Sequence, residues 1–171
     1  MIISKLVGQF DFEVFPVEHV IEVDSIPTPI SIVAYYSQEQ YSPLIHQLMR
    51  NGEAVIYVES VSDFYSLENV KRNVENLIDT KERVPPLVFV INKVDLDQSK
   101  HVVTKDAIEK LVKKPTDGNY LIVKASGLTG ENVTMAFEEV IRRHRHQCFD
   151  QTNTLQEIKS ILKNDRSTFS N

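Results

Sequence analysis

The stretch Pro85-Pro86-Leu87-Val88-Phe89-Val90-Ile91-Asn92-Lys93-Val94-Asp95 constrains this chain most. An apolar run rich in β-branched residues, entered through two prolines and left through polar residues, describes a strand buried on both faces. Such strands belong to parallel sheets in open α/β folds, which bind ligands just beyond the carboxyl ends of their strands. Asn92-Lys93-Val94-Asp95 stands at that end. Asp95 brings two acceptor oxygens, which match the paired N–H donors on a guanine edge and find no such pair on adenine. Lys93 can lay its methylene stem along a base face with its ammonium in water, and Asn92 can tie neighbouring loops through its amide.

The rest of the chain supplies the setting. Val20–Val23 and Pro29–Val33 are short strands, joined through Asp24, Ser25 and Pro27 as a hairpin. Ser37–Arg50 places Tyr41, Leu44, Ile45, Leu48 and Met49 on one helical face. Strands are expected at Ala54–Val58 and Tyr120–Val123, and helices at Ser66–Thr80, Thr104–Lys114 and Gly130–His146. From Ala54 onward strand and helix alternate, the pattern of an α/β, doubly wound, mostly parallel sheet with helices on both faces. The hairpin would add one antiparallel edge. Met1–Val7 fits either a strand or a helix. Arg142-Arg143-His144-Arg145-His146 reads as a solvated helix end rather than an acidic-lipid site. Thr154-Leu155-Gln156-Glu157 is a capping-box pattern that would start a short separate helix through Leu155, Ile158, Ile161 and Leu162.

Composition narrows the function classes. A net charge of −5 argues against a dedicated nucleic-acid binder. The single cysteine, Cys148, cannot form an internal disulfide and suits a reducing compartment. No stretch reaches membrane-spanning length, no secretory leader is expected, and neither a terminal prenylation box nor a myristoylation start is present. A cytoplasmic location is expected.

Asn92-Lys93-Val94-Asp95 resembles the guanine-specificity motif of the Ras-like small GTPases. Ala125-Ser126-Gly127-Leu128, straight after the next strand, is similar to that family's second guanine loop, with Leu128 where the family carries lysine. Gln38-Glu39-Gln40-Tyr41-Ser42 looks like its second switch, and Gly8-Gln9-Phe10 like the end of its first helix. The likeness runs from about Phe10 to Arg145, so the expected division is a G domain over 1–147 and a tail over 148–171. The resemblance implies Asn92, Lys93, Asp95, Ser126 and Gly127 as guanine contacts, with Phe10 beside them and the Gly127 N–H donating to the base. It implies Gln38 as the residue orienting the attacking water. Effector or regulator proteins would meet the second-switch surface at Tyr41, Leu44 and Leu48.

The phosphate chemistry of the family is absent. No Gly-Lys-Ser/Thr phosphate loop occurs. By the register of Gly8-Gln9-Phe10, the first strand and that loop fall upstream of Met1, leaving the first strand, phosphate loop and first helix incomplete. The magnesium-binding switch threonine is Val17, and the Asp-x-x-Gly motif reads Ala34-Tyr35-Tyr36-Ser37. Truncation alone would leave those ligands intact, so the chain reads as a degenerate member. GTP or GDP is expected to bind weakly, with no magnesium, in a signalling or protein-binding module. A working GTPase switch and a nucleotide-free α/β interaction domain are the rival readings.

Overall fold

Among the described residues, five strands and three long helices follow one another as ββ-βαβαβα, with a short 3-10 turn at Gln98–Lys100. The structure, a computed structural model, describes residues 16–34, 47–48, 50–80 and 83–168. The elements are β1 (Val17–Val23), β2 (Ile26–Ile32), β3 (Val55–Ser60), α1 (Tyr65–Thr80), β4 (Leu87–Asn92), α2 (Lys105–Val112), β5 (Tyr120–Lys124) and α3 (Val133–Thr168). The helix expected over Ser37–Arg50 lies mostly outside the described residues; Gln47, Leu48, Arg50 and Asn51 are helical. Met1–Val7 lies wholly outside them.

β3, β4 and β5 form a parallel sheet with β4 in the centre. Its alternating side chains separate two apolar clusters. Leu87, Phe89 and Ile91 pack with Val70, Val74 and Leu77 of α1 and Ile108 and Val112 of α2. Val88 and Val90 pack with Val133, Phe137, Val140 and Ile141 of α3 and with Ile21 and Val23 of β1. All five β4 residues from Leu87 to Ile91 are fully buried, and each contributes about 1.5–3 kcal/mol through removal from water. Phe89 also stacks on Tyr57 at 5.3 Å and meets Tyr120 edge-on at 6.2 Å.

The hairpin forms, but not as an edge of that sheet. β1 and β2 make a separate two-stranded antiparallel sheet. Its turn holds Asp24 and Ser25 at φ 54° and 63°, the left-handed pair that a two-residue hairpin turn requires. That turn makes Val23 and Ile26 the closing hydrogen-bonded pair, so Pro27 and Pro29, opposite Glu22 and Val20, occupy non-hydrogen-bonded sites. N–H groups at such sites point away from the partner strand. Proline has none, so the outer edge of β2 lacks two of the donors that another strand would need.

The hairpin is held instead by side chains. Ile21, Val23, Ile30 and Ile32 share the apolar cluster with α3. Arg142 donates from Nε to Asp24 Oδ1 at 2.9 Å, and Arg145 donates from Nη1 to the Val23 carbonyl at 3.2 Å and from Nη2 to Thr28 Oγ1. Arg142 also meets Glu139 at 2.6 Å and Glu138 at 3.2 Å. Glu139 first and Asp24 next raise the pKa of its guanidinium further. Two members of the basic cluster therefore clasp the hairpin turn instead of lying free in solvent as a helix end.

α3 differs from expectation in length. It runs unbroken for 36 residues, with no second helix starting near Leu155. No glycine or proline interrupts it. Thr154, read as a cap, sits inside the helix and donates its hydroxyl to the Asp150 carbonyl, as Thr152 does to Cys148. Gln147 still bonds the Val84 carbonyl at 3.1 Å, whereas residues 148–156 are all exposed.

Replacing Phe89 by alanine should lower stability by about 3–5 kcal/mol, measured by urea denaturation, because β4 cannot collapse into the space left. Arg142→Ala should speed amide exchange in β1 and β2 while β4 amides stay protected; equal protection in both would show the clasp to be inert.

Candidate functional site

The loops after β3, β4 and β5 meet at the carboxyl ends of the strands. The chain leaves β4 at Asn92 and bends at Lys93, whose φ of 67° is left-handed. The Val61 N–H donates to the Asn92 carbonyl at 2.9 Å, drawing in the loop after β3. Asn92 Oδ1 accepts from the Gly127 N–H at 2.8 Å, drawing in the loop after β5. The Ala125 N–H to Ile91 carbonyl bond (2.9 Å) and the Val94 N–H to Ala125 carbonyl bond (3.3 Å) close the same junction.

Ser126 is the centre of this junction. It is fully buried, and its hydroxyl donates to Asp95 Oδ1. The same oxygen accepts from the N–H groups of Leu128 at 3.2 Å and Thr129 at 3.1 Å. Its backbone N–H donates to the Glu131 carbonyl at 3.0 Å and its carbonyl accepts from the Gly130 N–H at 2.8 Å. Gly130 takes φ 89°, a conformation few side chains tolerate. The Asn132 amide nitrogen donates to the Lys124 carbonyl at 2.8 Å and pins the start of α3.

The result is an exposed carboxylate with a fixed orientation. Asp95 is solvent-facing, one oxygen held by Ser126 and the other without a protein hydrogen bond among the described residues. Each carboxylate oxygen has two acceptor sites, so the pair remains able to receive two parallel N–H donors. Lys93 is exposed beside it. Leu128, at the position where the resembling motif carries lysine, is 71% exposed and offers only an apolar contact.

The structure brings Asn92, Lys93, Asp95, Ser126 and Gly127 together, and it corrects one expectation. The Gly127 N–H is engaged by Asn92 and is not a free donor for a base; Gly127 belongs to the framework that places Asp95. The resemblance implies Ser126 as a guanine contact, whereas here its hydroxyl holds Asp95 and accepts from the Leu128 and Thr129 N–H groups; the sequence assigned Asn132 no role. The serine's link to Asp95, 31 residues away, carries no local signal. Asn132, just before α3 with φ 55°, was visible as a residue suited to left-handed backbone. Phe10, Gln38, Tyr41 and Leu44 lie outside the described residues, and Leu48 is a half-buried helical residue. Val17 opens β1 and Ala34 follows β2; neither side chain has an oxygen to give a metal. Among the described residues, no group of three or more metal-ligating side chains comes together, and no helix is long and apolar enough to cross a membrane.

An α/β domain with a parallel sheet and this pair of loops has the architecture of a small GTPase. The Ras family model matches residues 12–146, and the chain belongs to the Ras family. It is 28% identical to Ras-like protein 2 of Drosophila melanogaster over 123 residues, covering 70% of this chain and 61% of that one. It is 28% identical to the Ras-related protein R-Ras of Mus musculus, covering 72% and 55%. With Ras-like protein rasS of Dictyostelium discoideum it shares 30% over 145 residues, 80% of this chain and 73% of that protein. The chain thus spans about six-tenths of the fly protein's length and a little over half of the mouse protein's.

Ser126→Ala should cost about 1–3 kcal/mol, since it strands the Leu128 and Thr129 donors and frees Asp95. Equilibrium denaturation reads the loss; an unchanged midpoint would mean that water replaces the hydroxyl.

Proposed function

We propose that this chain is a Ras-family binding module that recognises the guanine base weakly and handles the phosphates poorly. The observation that carries this is the contrast between the two halves of the ligand chemistry. Asp95, oriented by Ser126, is exposed and ready to accept from a base. The positions that would hold magnesium are occupied by Val17 and Ala34.

The energetics follow from that contrast. Each charge-assisted hydrogen bond contributes about 1.5–3 kcal/mol, and a phosphate cradle supplies several. Base recognition without them leaves about −4 to −6 kcal/mol, a dissociation constant from millimolar to tens of micromolar. Gln38, placed to orient an attacking water in the resembling motif, then has no held γ-phosphate to act on, and magnesium adds nothing. Hydrolysis of GTP is not proposed.

In this reading the chain acts in signalling through protein contacts in the cytoplasm. Tyr41, Leu44 and Leu48 form the proposed surface for an effector or regulator. The domain spans 1–147, and 148–171 is a tail in which α3 projects away from the core; the exposure of residues 148–156 supports this division.

Calorimetric titration with GDP and GTP, each with and without magnesium, tests the proposal. Weak binding indifferent to magnesium and lost in Asp95→Ala is expected. Magnesium-dependent nanomolar binding, or steady GTP turnover, would overturn it in favour of a working switch. Equal response to ADP would point to a domain without guanine recognition.

A further inference from the structure

A second charged concavity lies at the other end of the strands. Arg83 stands just before β4 and Asn119 just before β5, so both sit at the amino ends of strands whose carboxyl ends carry Asn92 and Ser126. With one face of α3 they line an open cleft of about 610 Å³.

The charges in this cleft are unbalanced. Arg142 and Glu139 both line it, but they satisfy each other at 2.6 Å. Arg83, Arg143 and His146 have no hydrogen-bond or ion-pair partner among the described residues, and only Asp150 opposes them on the lining. Arg143 is the telling member. Its Nε is buried without an acceptor among the described residues while the residue as a whole is half-buried, which leaves the Nη groups of its fork to meet a ligand in the cleft.

We propose that this cleft binds a small phosphorylated anion, with Arg83 and Arg143 as the principal contacts and His146 and Asn119 as further donors. Guanidinium groups suit phosphate because their planar forks meet two oxygens at once. A concave site lined from three segments of the chain favours a compact soluble anion over a flat membrane surface. The site is independent of the guanine end, which lies across the sheet.

Nitrogen-15 NMR titration of the full chain with inorganic pyrophosphate at constant ionic strength tests this. Saturable shifts are expected at Asn119, Arg143 and His146, with the amides of 92–96 and 126–130 unmoved. Arg83→Gln, at an exposed position, and Arg143→Gln should each weaken binding roughly tenfold or more, with dispersion of the spectrum reporting that both variants fold. Three results would overturn the proposal. One is no shift at the cleft up to about 10 mM pyrophosphate, the limit of a weak ligand. Another is a response that neither variant alters. The third is binding to phosphatidylserine vesicles, lost in Arg83→Gln, with no response to pyrophosphate; that would make the face a membrane contact.

Discussion

Burial of β4 on both faces is the constraint on which the rest depends. Leu87, Phe89 and Ile91 join one cluster, and Val88 and Val90 the other. A strand with no solvent-facing side needs cover on each side: α1 and α2 supply one layer, α3 and the hairpin the second. The same burial leaves the strand end as the first place where polar groups can reach water. Asn92, Lys93 and Asp95 occupy it, and the chemistry of the site is a consequence of where the core stops.

At that end three loops converge on Asn92 and Ser126, the loop after β3 through the Asn92 carbonyl and the other two through side chains. Asn92 bonds the loop after β5, and Ser126 returns the connection to Asp95. Neither needs to touch a ligand to matter. Both satisfy donors that would otherwise be stranded in a mostly buried junction, and both fix a carboxylate that is itself exposed. Rigidity is thus supplied from beneath, and the exposed group keeps its acceptor sites for a partner.

The hairpin shows a different solution. With Pro27 and Pro29 on its outer edge, β2 is poorly suited to extending the main sheet, and the described strands do not join. Apolar packing on α3 and the Arg142–Asp24 and Arg145–Val23 contacts hold it in place. Side-chain contacts are more easily broken than a strand ladder, so the attachment of this element depends on a handful of residues rather than on its own sequence pattern.

The residues by themselves determined the alternation of strands and helices from Ala54 onward and the buried strand with its polar end. Those are local properties, set by periodicity, β-branching and turn chemistry within windows of ten or so residues. Tertiary structure decided what depends on distant partners. It gave the Gly127 amide to Asn92, turned Ser126 into the hinge of the site, and set Arg142 on Asp24 from 118 positions away. It also carried α3 through Thr154, where a four-residue pattern spelled a cap but the chain was already helical and its amides were spent. A cap works only where a helix begins, and where a helix begins is a property of everything packed before it.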